Sequence, residues 1–429
     1  MSARVVGLVC RECGTEYPVS ATHVCDLCFG PLDVRYDYAE IARRVSRESI
    51  AAGPPSMWRY ADLLPVELEE GDGGPVTLGE GFTPLVHAPS LGAELGLRNL
   101  FIKNDTVNPT NSFKDRVVSV AVTWAQRQGF DTIACASTGN LANAVAAYAA
   151  RSGLRGYVFI PANLEAGKVA PTAVFRPTVV RIDGTYDEVN RLCSELVDLV
   201  PWAFCNINVR PFYSEGSKTL TFETAEQLGW RLPDEIVIPI ASGCQFVKHR
   251  KAARELLDLG LVHGTVGGAK VPRLTGAQAL GCAPVATAFL RGDTHIVPVR
   301  PQTIAKSIAI GNPSDGAYVC QIARDTGGTV DAVTEEEILE GIELLARTEG
   351  IFTETAGGVT VAVLRKLARA GRWSGEETIA AYITGHGLKT AEYLEGRAPM
   401  AETIAPAVRA FREAYLDGPP PGPRYTRAT

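Results

Sequence analysis

The chain has 429 residues, of which 46% are apolar and 21% are charged, and its formal net charge is −6. This length predicts about two or three domains, and the composition is typical of a protein that buries a real core. The acidic balance argues against a nucleic-acid binder but leaves room for a local cationic pocket. There is neither a run of about 18 apolar residues nor the pattern of a secretory signal, so we expect a cytoplasmic protein without a membrane span.

The first motif along the chain is a pair of CxxC sequences within residues 1–35. Cys10 and Cys13 form one pair, Cys25 and Cys28 form the other, and eleven residues separate the two pairs. Two such turns can complete a tetrahedral shell of four thiolates, which suits Zn²⁺. We predict a structural zinc ribbon whose folding energy comes from metal binding. A metal-free remnant and a redox pair are the alternatives.

Short apolar segments alternate with helical segments over about residues 76–396. Because strands this short and apolar are usually covered on both faces, the alternation predicts an α/β protein with mainly parallel sheets. Strands are predicted over residues 131–136, 156–160, 178–182, 235–240, 273–277 and 378–384, and helices over 141–150 and 186–199. The proline-rich tail after Pro399 is predicted to be a helix followed by a disordered end.

Residues 100–116, with the sequence LFIKNDTVNPTNSFKDR, combine a turn with a helix start. Asn111 or Ser112 can cap a helix that begins near Phe113, and the apolar residues that follow predict a buried helix body. Lys114 then lies in the first turn, where the helix N-terminus and the loss of water both lower the pKa of an amine. A neutral amine is what attacks an aldehyde, although a lysine at a helix start is more often a solvated surface residue.

Five segments together resemble the threonine synthases, a family of pyridoxal 5′-phosphate (PLP) enzymes in the fold type II, tryptophan-synthase-β-like group. They occur in the family's order over about residues 76–395. They are LGEGFTPL at 78–85, NPTNSFKDR at 108–116, STGN at 137–140, EGSKT at 215–219 and TGHGLK at 384–389. The CxxC extension is also similar to that of some threonine synthases.

The resemblance implies two three-layer αβα domains with mainly parallel sheets, preceded by the zinc ribbon. The implied divisions are a ribbon at 1–35, a large PLP domain at 36–110 and 206–398, a small mobile domain at 111–205, and a helix with a tail at 399–429.

The resemblance also implies a contact for each part of PLP. Lys114 would form the Schiff base and act as the catalytic base, Asn140 would hydrogen-bond the 3′ oxygen, and Thr384 would contact the pyridine nitrogen. The cofactor phosphate would be held by the loop after residue 240, which has one glycine where many relatives have several. This loop consists of Ala241, Ser242, Gly243, Cys244 and Gln245.

For the substrate, the resemblance implies a carboxylate site and a phosphate site. Ser137, Thr138 and Gly139 would bind the α-carboxylate at a helix start. The candidate cations for the substrate's phosphate are Lys103, Arg116, Arg210 and Lys218. We expect at least two of these four to line the pocket.

The implied reaction converts O-phospho-L-homoserine and water into L-threonine and phosphate, by γ-elimination and then β-addition. By analogy with the group we expect a homodimer, and neither nucleic acid nor membrane as a partner. The sequence departs from many relatives at residues 141–143 (LAN) and 354–358 (ETAGG). These departures leave open a β-replacement lyase acting on O-phosphoserine or another activated amino acid. A catalytically inactive interaction protein is the alternative from another class.

Overall fold

The computed structural model describes residues 4–68, 71, 73–162, 166–397 and 403–417, without the side chains of 166–168 and 186–187. The strands are β1 (Val5–Cys10), β2 (Glu16–Tyr17), β3 (Leu32–Tyr36), β4 (Leu85–His87), β5 (Asn99–Asn104), β6 (Thr132–Ala136), β7 (Arg155–Pro161), β8 (Thr178–Ile182), β9 (Ala203–Phe204), β10 (Glu235–Pro239), β11 (Arg273–Ala279), β12 (Val330–Val333) and β13 (Thr378–Ile383).

The α-helices of the described ranges lie between and around these strands. They are α1 (Tyr38–Arg44), α2 (Arg47–Ala51), α3 (Pro89–Leu95), α4 (Lys114–Arg127), α5 (Asn140–Ser152), α6 (Ala166–Ala173), α7 (Tyr186–Leu196), α8 (Arg210–Glu215), α9 (Lys218–Gln227), α10 (Cys244–Asp258), α11 (Pro284–Leu290), α12 (Gly316–Thr326), α13 (Glu335–Glu349), α14 (Thr355–Arg369) and α15 (Val408–Tyr415). Among the residues placed here, no helix is long and apolar enough to cross a membrane.

The N-terminal sheet is small and antiparallel, with strand order β2-β1-β3. Leu8, Leu32 and Val34 on its inner face are buried and join the core of the main body. This sheet carries the two cysteine pairs. A unit of this size gains little from its own core, so its packing on the body is part of what holds it folded.

The largest sheet has the order β12-β11-β10-β13-β5-β4, and all its pairings are parallel except the one between β4 and β5 at its edge. Every residue of β10 and β13 is buried, which explains why these strands are rich in isoleucine, valine and alanine. Because the strands run in parallel, the carboxyl ends of β5, β10 and β13 meet at one edge of the sheet.

A second, four-stranded parallel sheet has the order β8-β7-β6-β9. Its strands all come from residues 111–205, the segment that we predicted to form the small domain. The loop at the carboxyl end of β6 leads directly into α5. Ligands of open parallel α/β sheets bind beyond the carboxyl ends of the strands, so this loop and the edge described above are where a site is expected.

The α/β class and the mainly parallel sheets are confirmed, and each predicted strand is present with its ends shifted by at most two residues. The helix predicted over 186–199 ends at Leu196, three residues early. The short strands β4, β5, β9 and β12 and the antiparallel N-terminal sheet were not predicted. α15 confirms a helix after Pro399, whereas the predicted disordered end lies outside the described residues beyond 417.

Candidate active site

The start of α4 is fastened to the end of β13. The Phe113 amide donates to the Thr384 carbonyl at 2.8 Å, and Ser112 and Gly385 form an isolated β-bridge. The Ser112 hydroxyl accepts from the Lys114 amide at 3.3 Å, so of the two predicted caps it is Ser112 that contacts the first turn. The helix begins at Lys114, which fixes the root of that side chain at the carboxyl edge of the large sheet.

The Lys114 amine has no hydrogen bond or ion pair with any residue that the structure places. The side chain is partly buried, and Nζ lies 4.9 Å from the ring centre of Phe113 and 6.0 Å from that of Tyr213. Burial lowers the pKa of Lys114, and the charges of Cys244 and Glu354 only partly oppose this effect. The amine is therefore held toward its neutral, nucleophilic form.

The loop after β10 supplies hydrogen-bond donors without partners. α10 begins at Cys244, whose amide makes a long contact of 3.5 Å with the Ser242 hydroxyl, and its N-cap residue Gly243 offers no side chain to the first turn. Gly243 precedes it with a φ of 90°, and a Cβ there would lie 2.8 Å from Cγ2 of Val319, so both the backbone angle and the space require glycine. The Gln245 Nε2 is buried and has no acceptor among the described residues. An uncapped helix start beside an orphaned amide donor fits a phosphate group.

A carboxylate that we did not predict connects the second sheet to this edge. Asn140 begins α5, and its Nδ2 donates to Glu354 Oε1 at 2.9 Å. Glu354 is 2% exposed, and burial raises its pKa against the opposing effects of Lys389, Asn140 and Lys114. Glu354 lies in the segment ETAGG and Lys389 in the segment TGHGLK. Neither segment indicates from its sequence which charged groups its residue faces.

The remaining predicted residues lie in the loop before α5 and directly after β13. Ser137 is buried, Thr138 is half-buried and Gly139 is exposed, and α5 starts after Gly139 without a side-chain cap. Thr384 is 7% exposed, and its hydroxyl has no partner in the described part of the chain. The predicted residues Lys114, Asn140, Thr384 and the 241–245 loop thus border the same edge, as a lysine-linked pyridine with a phosphate arm requires.

Two of the predicted substrate cations are instead buried between carboxylates. Arg116 Nε lies 2.7 Å from Asp105 Oδ2, and its Nη1 pairs with Glu223. Lys103 Nζ lies 2.6 Å from Glu223 Oε2. The side chains of both cations are fully buried. Their charges are balanced inside the protein, so we do not carry Lys103 and Arg116 forward as phosphate ligands.

Lys218 has the same kind of environment. Its Nζ lies 2.8 Å from carboxylate oxygens of both Glu215 and Glu255, and the side chain is fully buried. It also donates to the Leu63 carbonyl at 2.7 Å. The motif EGSKT contains Glu215 as well as Lys218, but it could not reveal Glu255 or the burial of the group. Lys218 too is set aside as a phosphate ligand.

Arg210 is the remaining candidate cation. It begins α8, its side chain is 19% exposed, and its Nη2 bonds the Ser314 hydroxyl at 2.7 Å as well as the Asp315 carboxylate. The Asp315 amide in turn donates to the Ser242 carbonyl at 2.9 Å. Arg210 is thus linked to the loop that fits a phosphate, and it keeps contact with solvent.

The four N-terminal cysteines converge as predicted. Sγ atoms of Cys10, Cys13, Cys25 and Cys28 all lie within 4.8 Å of one another. The Tyr17 hydroxyl donates to Cys25 Sγ at 3.1 Å and lowers the pKa of that thiol to about 6. Four converging sulfurs with one thiolate already favoured fit a tetrahedral metal ion.

Comparison with known proteins agrees with this geometry. Residues 76–385 match the family model described as "Pyridoxal-phosphate dependent enzyme". The chain is 38% identical over 412 residues to a threonine synthase of Methanosarcina acetivorans, covering 95% of this chain and 98% of the relative. It is also 38% identical to a threonine synthase of Methanocaldococcus jannaschii, covering 89% of this chain and 92% of the relative.

The fold also matches solved structures. A threonine deaminase isoform of Solanum lycopersicum superposes with a TM-score of 0.62 at 20% identity, covering 84% of this chain and 88% of that one. A maize serine racemase superposes with a TM-score of 0.60 at 19% identity, covering 73% and 91% of the two chains. At this level of identity, these two likenesses support the fold alone.

Proposed function

The chain belongs to the threonine synthase family of pyridoxal-phosphate dependent enzymes, and we propose that it converts O-phospho-L-homoserine and water into L-threonine and phosphate through Lys114. The observation that supports this role for Lys114 is its amine, which is withdrawn from water, has no partner among the described residues and lies at the carboxyl edge of the large sheet.

The cofactor's ring and phosphate would be held by residues around this edge. When bound, PLP withdraws electrons from the substrate carbon skeleton and so lowers the cost of removing its protons. Gln245 Nε2 and the first amides of α10 are donors for the phosphate, and Asn140 and Thr384 offer polar groups to the ring. The neutral hydroxyl of Thr384 carries no charge that would keep a pyridine nitrogen protonated.

Lys114 is suited to move protons at the substrate's Cα and Cβ atoms. A base must be uncharged to accept a proton, and burial favours that form of the amine. The protonated amine would then lie near Glu354, a buried group whose pKa is raised, so the site tolerates the added charge without a permanent ion pair. Removal of a proton from Cα and then from Cβ would expel the γ-phosphate. A proton would be returned to Cγ, which becomes the methyl group, water would add at Cβ, and the last proton would be returned to Cα.

The two ends of the substrate are proposed to bind to different sheets. The loop of Ser137, Thr138 and Gly139, together with the first amides of α5, would receive the α-carboxylate, because a helix start attracts anions. Arg210 would receive the phosphate as it leaves and stabilise its growing charge. Movement of the smaller sheet toward the larger one would bring these contacts together and exclude water.

A product assay tests this proposal. Purified protein with PLP should release phosphate and form threonine from O-phosphohomoserine, with no matching rate on O-phosphoserine. Lys114→Ala should lose this activity, whereas Lys270→Ala, which changes an exposed loop lysine, should keep it. Phosphate release from O-phosphoserine alone would instead favour the β-replacement lyase. Release from neither substrate would reject both functions.

We further propose that the four cysteines hold one structural Zn²⁺ ion and that the enzyme is a cytoplasmic homodimer. The convergence of the four sulfurs supports the metal proposal. Elemental analysis should find about one zinc per chain, as a four-thiolate site predicts. Sedimentation at several protein concentrations tests the homodimer, and cell fractionation tests the location.

A further inference from the structure

Two arginines from distant parts of the chain meet at one carboxylate. Arg11, between Cys10 and Cys13, places Nη2 2.7 Å from Asp315 Oδ1. Arg210 pairs with the other oxygen of the same carboxylate. The Asp315 side chain is fully buried, and those of Arg11 and Arg210 are 16% and 19% exposed. A residue of the cysteine unit therefore shares its counter-ion with the cation that remained a candidate for the substrate's phosphate.

This cluster adjoins the loop that fits the cofactor. The Asp315 amide donates to the Ser242 carbonyl, and a Cβ on Gly243 would lie 3.0 Å from the Asp315 Cβ. The charges of Arg11, Arg210 and Asp315 all act on the thiol of Cys244, which also acts on the Lys114 amine. The three-residue cluster is thus within electrostatic reach of the first turn of α10 and close to the reacting centre.

The cluster carries an excess of positive charge. Two guanidinium groups face one carboxylate, and Nε and Nη1 of Arg11 are buried without an acceptor among the described residues. Asp33, the other carboxylate that acts on Arg11, is already paired with Lys248 and Lys251. Two guanidinium groups on one buried carboxylate leave an unbalanced positive charge, which favours an additional anion at this cluster, and Arg210 is the member proposed above to bind the substrate's phosphate.

The position of Arg11 is fixed by the unit around it. Its guanidinium lies 4.6 Å from the ring centre of Tyr318, and the next residue, Glu12, accepts a hydrogen bond from the Tyr318 hydroxyl. The two cysteines on either side restrict the backbone further if they share a metal ion. Arg11 is therefore held at the start of α12 by its own contacts with Tyr318 and Asp315, and through the bond between its neighbour Glu12 and Tyr318.

We propose that Arg11 is a positioning residue for the substrate's phosphate, and this inference rests on the proposed function. By pairing with Asp315, Arg11 offsets the negative charge that would otherwise neutralise Arg210, and Arg210 is left able to bind a phosphate monoester. The N-terminal cysteine unit is thus a component of the active site and not only a separate folded module.

Four variants separate this role from simple anchoring. Arg11→Gln should weaken phosphate binding about tenfold, because Asp315 then neutralises Arg210, and Arg11→Lys should recover part of the loss. Asp315→Asn removes the competitor and should bind phosphate at least as tightly as the wild type. The double variant Arg11→Gln/Asp315→Asn should therefore be restored toward wild-type affinity. Arg35→Gln, which changes a half-buried arginine of the same unit that pairs with Glu16, is the control and should not change phosphate affinity.

Binding of inorganic phosphate to the PLP-loaded enzyme, measured by titration calorimetry, gives the affinity without turnover. PLP affinity, followed by its visible absorbance, should stay within about twofold in all variants, as expected when the cofactor contacts are intact. In steady state, KM for O-phosphohomoserine should rise in Arg11→Gln more than kcat falls.

Three results would overturn the inference. Arg11→Gln could bind phosphate as the wild type does. Asp315→Asn could lose affinity as Arg11→Gln does, which would mean that the ion pair only anchors the unit. A loss of PLP affinity with unchanged phosphate affinity would assign Arg11 to the cofactor instead. Failure of the proposed function is distinguishable, because it would appear as a wild-type enzyme that does not turn over O-phosphohomoserine.

Discussion

Lys114 and Arg116 lie two residues apart on α4 and have opposite electrostatic surroundings. The Lys114 amine has no partner among the described residues, whereas the Arg116 guanidinium bonds Asp105, Glu223 and two threonine hydroxyls. Burial disfavours the charged form of both side chains. It lowers the pKa of Lys114, whereas for Arg116 the charges of Asp105 and Glu223 outweigh burial and raise the pKa. A buried cation surrounded by carboxylates cannot be removed without leaving those charges uncompensated, whereas a lysine without such partners is available for chemistry.

The sharpest way to break this contrast is to remove the unpaired amine. Lys114→Ala should lower kcat/KM by roughly 10³-fold or more, because it removes both the nucleophile and the base. The free energy of unfolding of the apoenzyme should change by about 1 kcal/mol or less, since the partly buried amine has no hydrogen bond or ion pair in the described part of the chain and only ring contacts with Phe113 and Tyr213. Activity assays and urea titrations measure the two effects, and a variant that keeps activity or unfolds far more easily would contradict the comparison.

The opposite pattern is expected for Arg116. Arg116→Gln leaves Asp105 and Glu223 buried without their main counter-ion, so the free energy of unfolding should fall by about 3–5 kcal/mol. Arg98→Gln is the matched control, because Arg98 pairs with Glu376 at the exposed surface and should change stability by about 1 kcal/mol or less. Equal effects of the two substitutions in urea titrations would show that the buried network does not have the role assigned to it.

Asp115 lies between Lys114 and Arg116 in the sequence, and its titration makes the stability of the protein depend on pH. Burial raises its pKa to about 7 from an ordinary 3.8, although the Thr110 amide and hydroxyl both donate to it. Because the pKa of Asp115 is higher in the folded state than in the unfolded state, protonated Asp115 favours the folded protein. This contribution to the free energy of unfolding is fully present below pH 3.8 and is lost as the pH rises through about 7.

Asp115→Asn should remove this pH dependence. The free energy of unfolding of the variant, minus that of the wild type, should increase by a few kcal/mol from about pH 4 to about pH 7. It should increase little further above about pH 7. Urea titrations across this range measure the difference. A constant difference between the two proteins would mean that Asp115 does not titrate there.

The smallest effect is expected from the cysteine unit. Cys13→Ser should lower the zinc content and increase KM for O-phosphohomoserine several-fold, by less than the roughly tenfold loss of phosphate affinity expected for Arg11→Gln, because Arg11 loses a fixed neighbour. Elemental analysis and steady-state kinetics measure the two effects. A variant without zinc but with unchanged KM would separate the metal from the positioning of Arg11.

Six strands of the two larger sheets (β6, β7, β8, β10, β11 and β13) were predictable because each is a short apolar run, whereas β4, β5, β9 and β12 were not predicted. The glycine before α10 and the lysine at the start of α4 followed from their motifs. What the sequence does not reveal is which charges meet across long separations. Lys103 and Lys218 lie in family-like segments, yet Glu223, the partner of Lys103, and Glu255, one partner of Lys218, come from elsewhere along the chain. Arg11 and Asp315 are 304 residues apart, so no local pattern could pair them.

Covalent mapping of the cofactor tests the central claim most directly. Borohydride reduction of the PLP-loaded enzyme, followed by proteolysis and mass spectrometry, should place a single pyridoxyl-phosphate group on Lys114. Attachment to another lysine, or no attachment in an enzyme that remains fully active, would contradict the account.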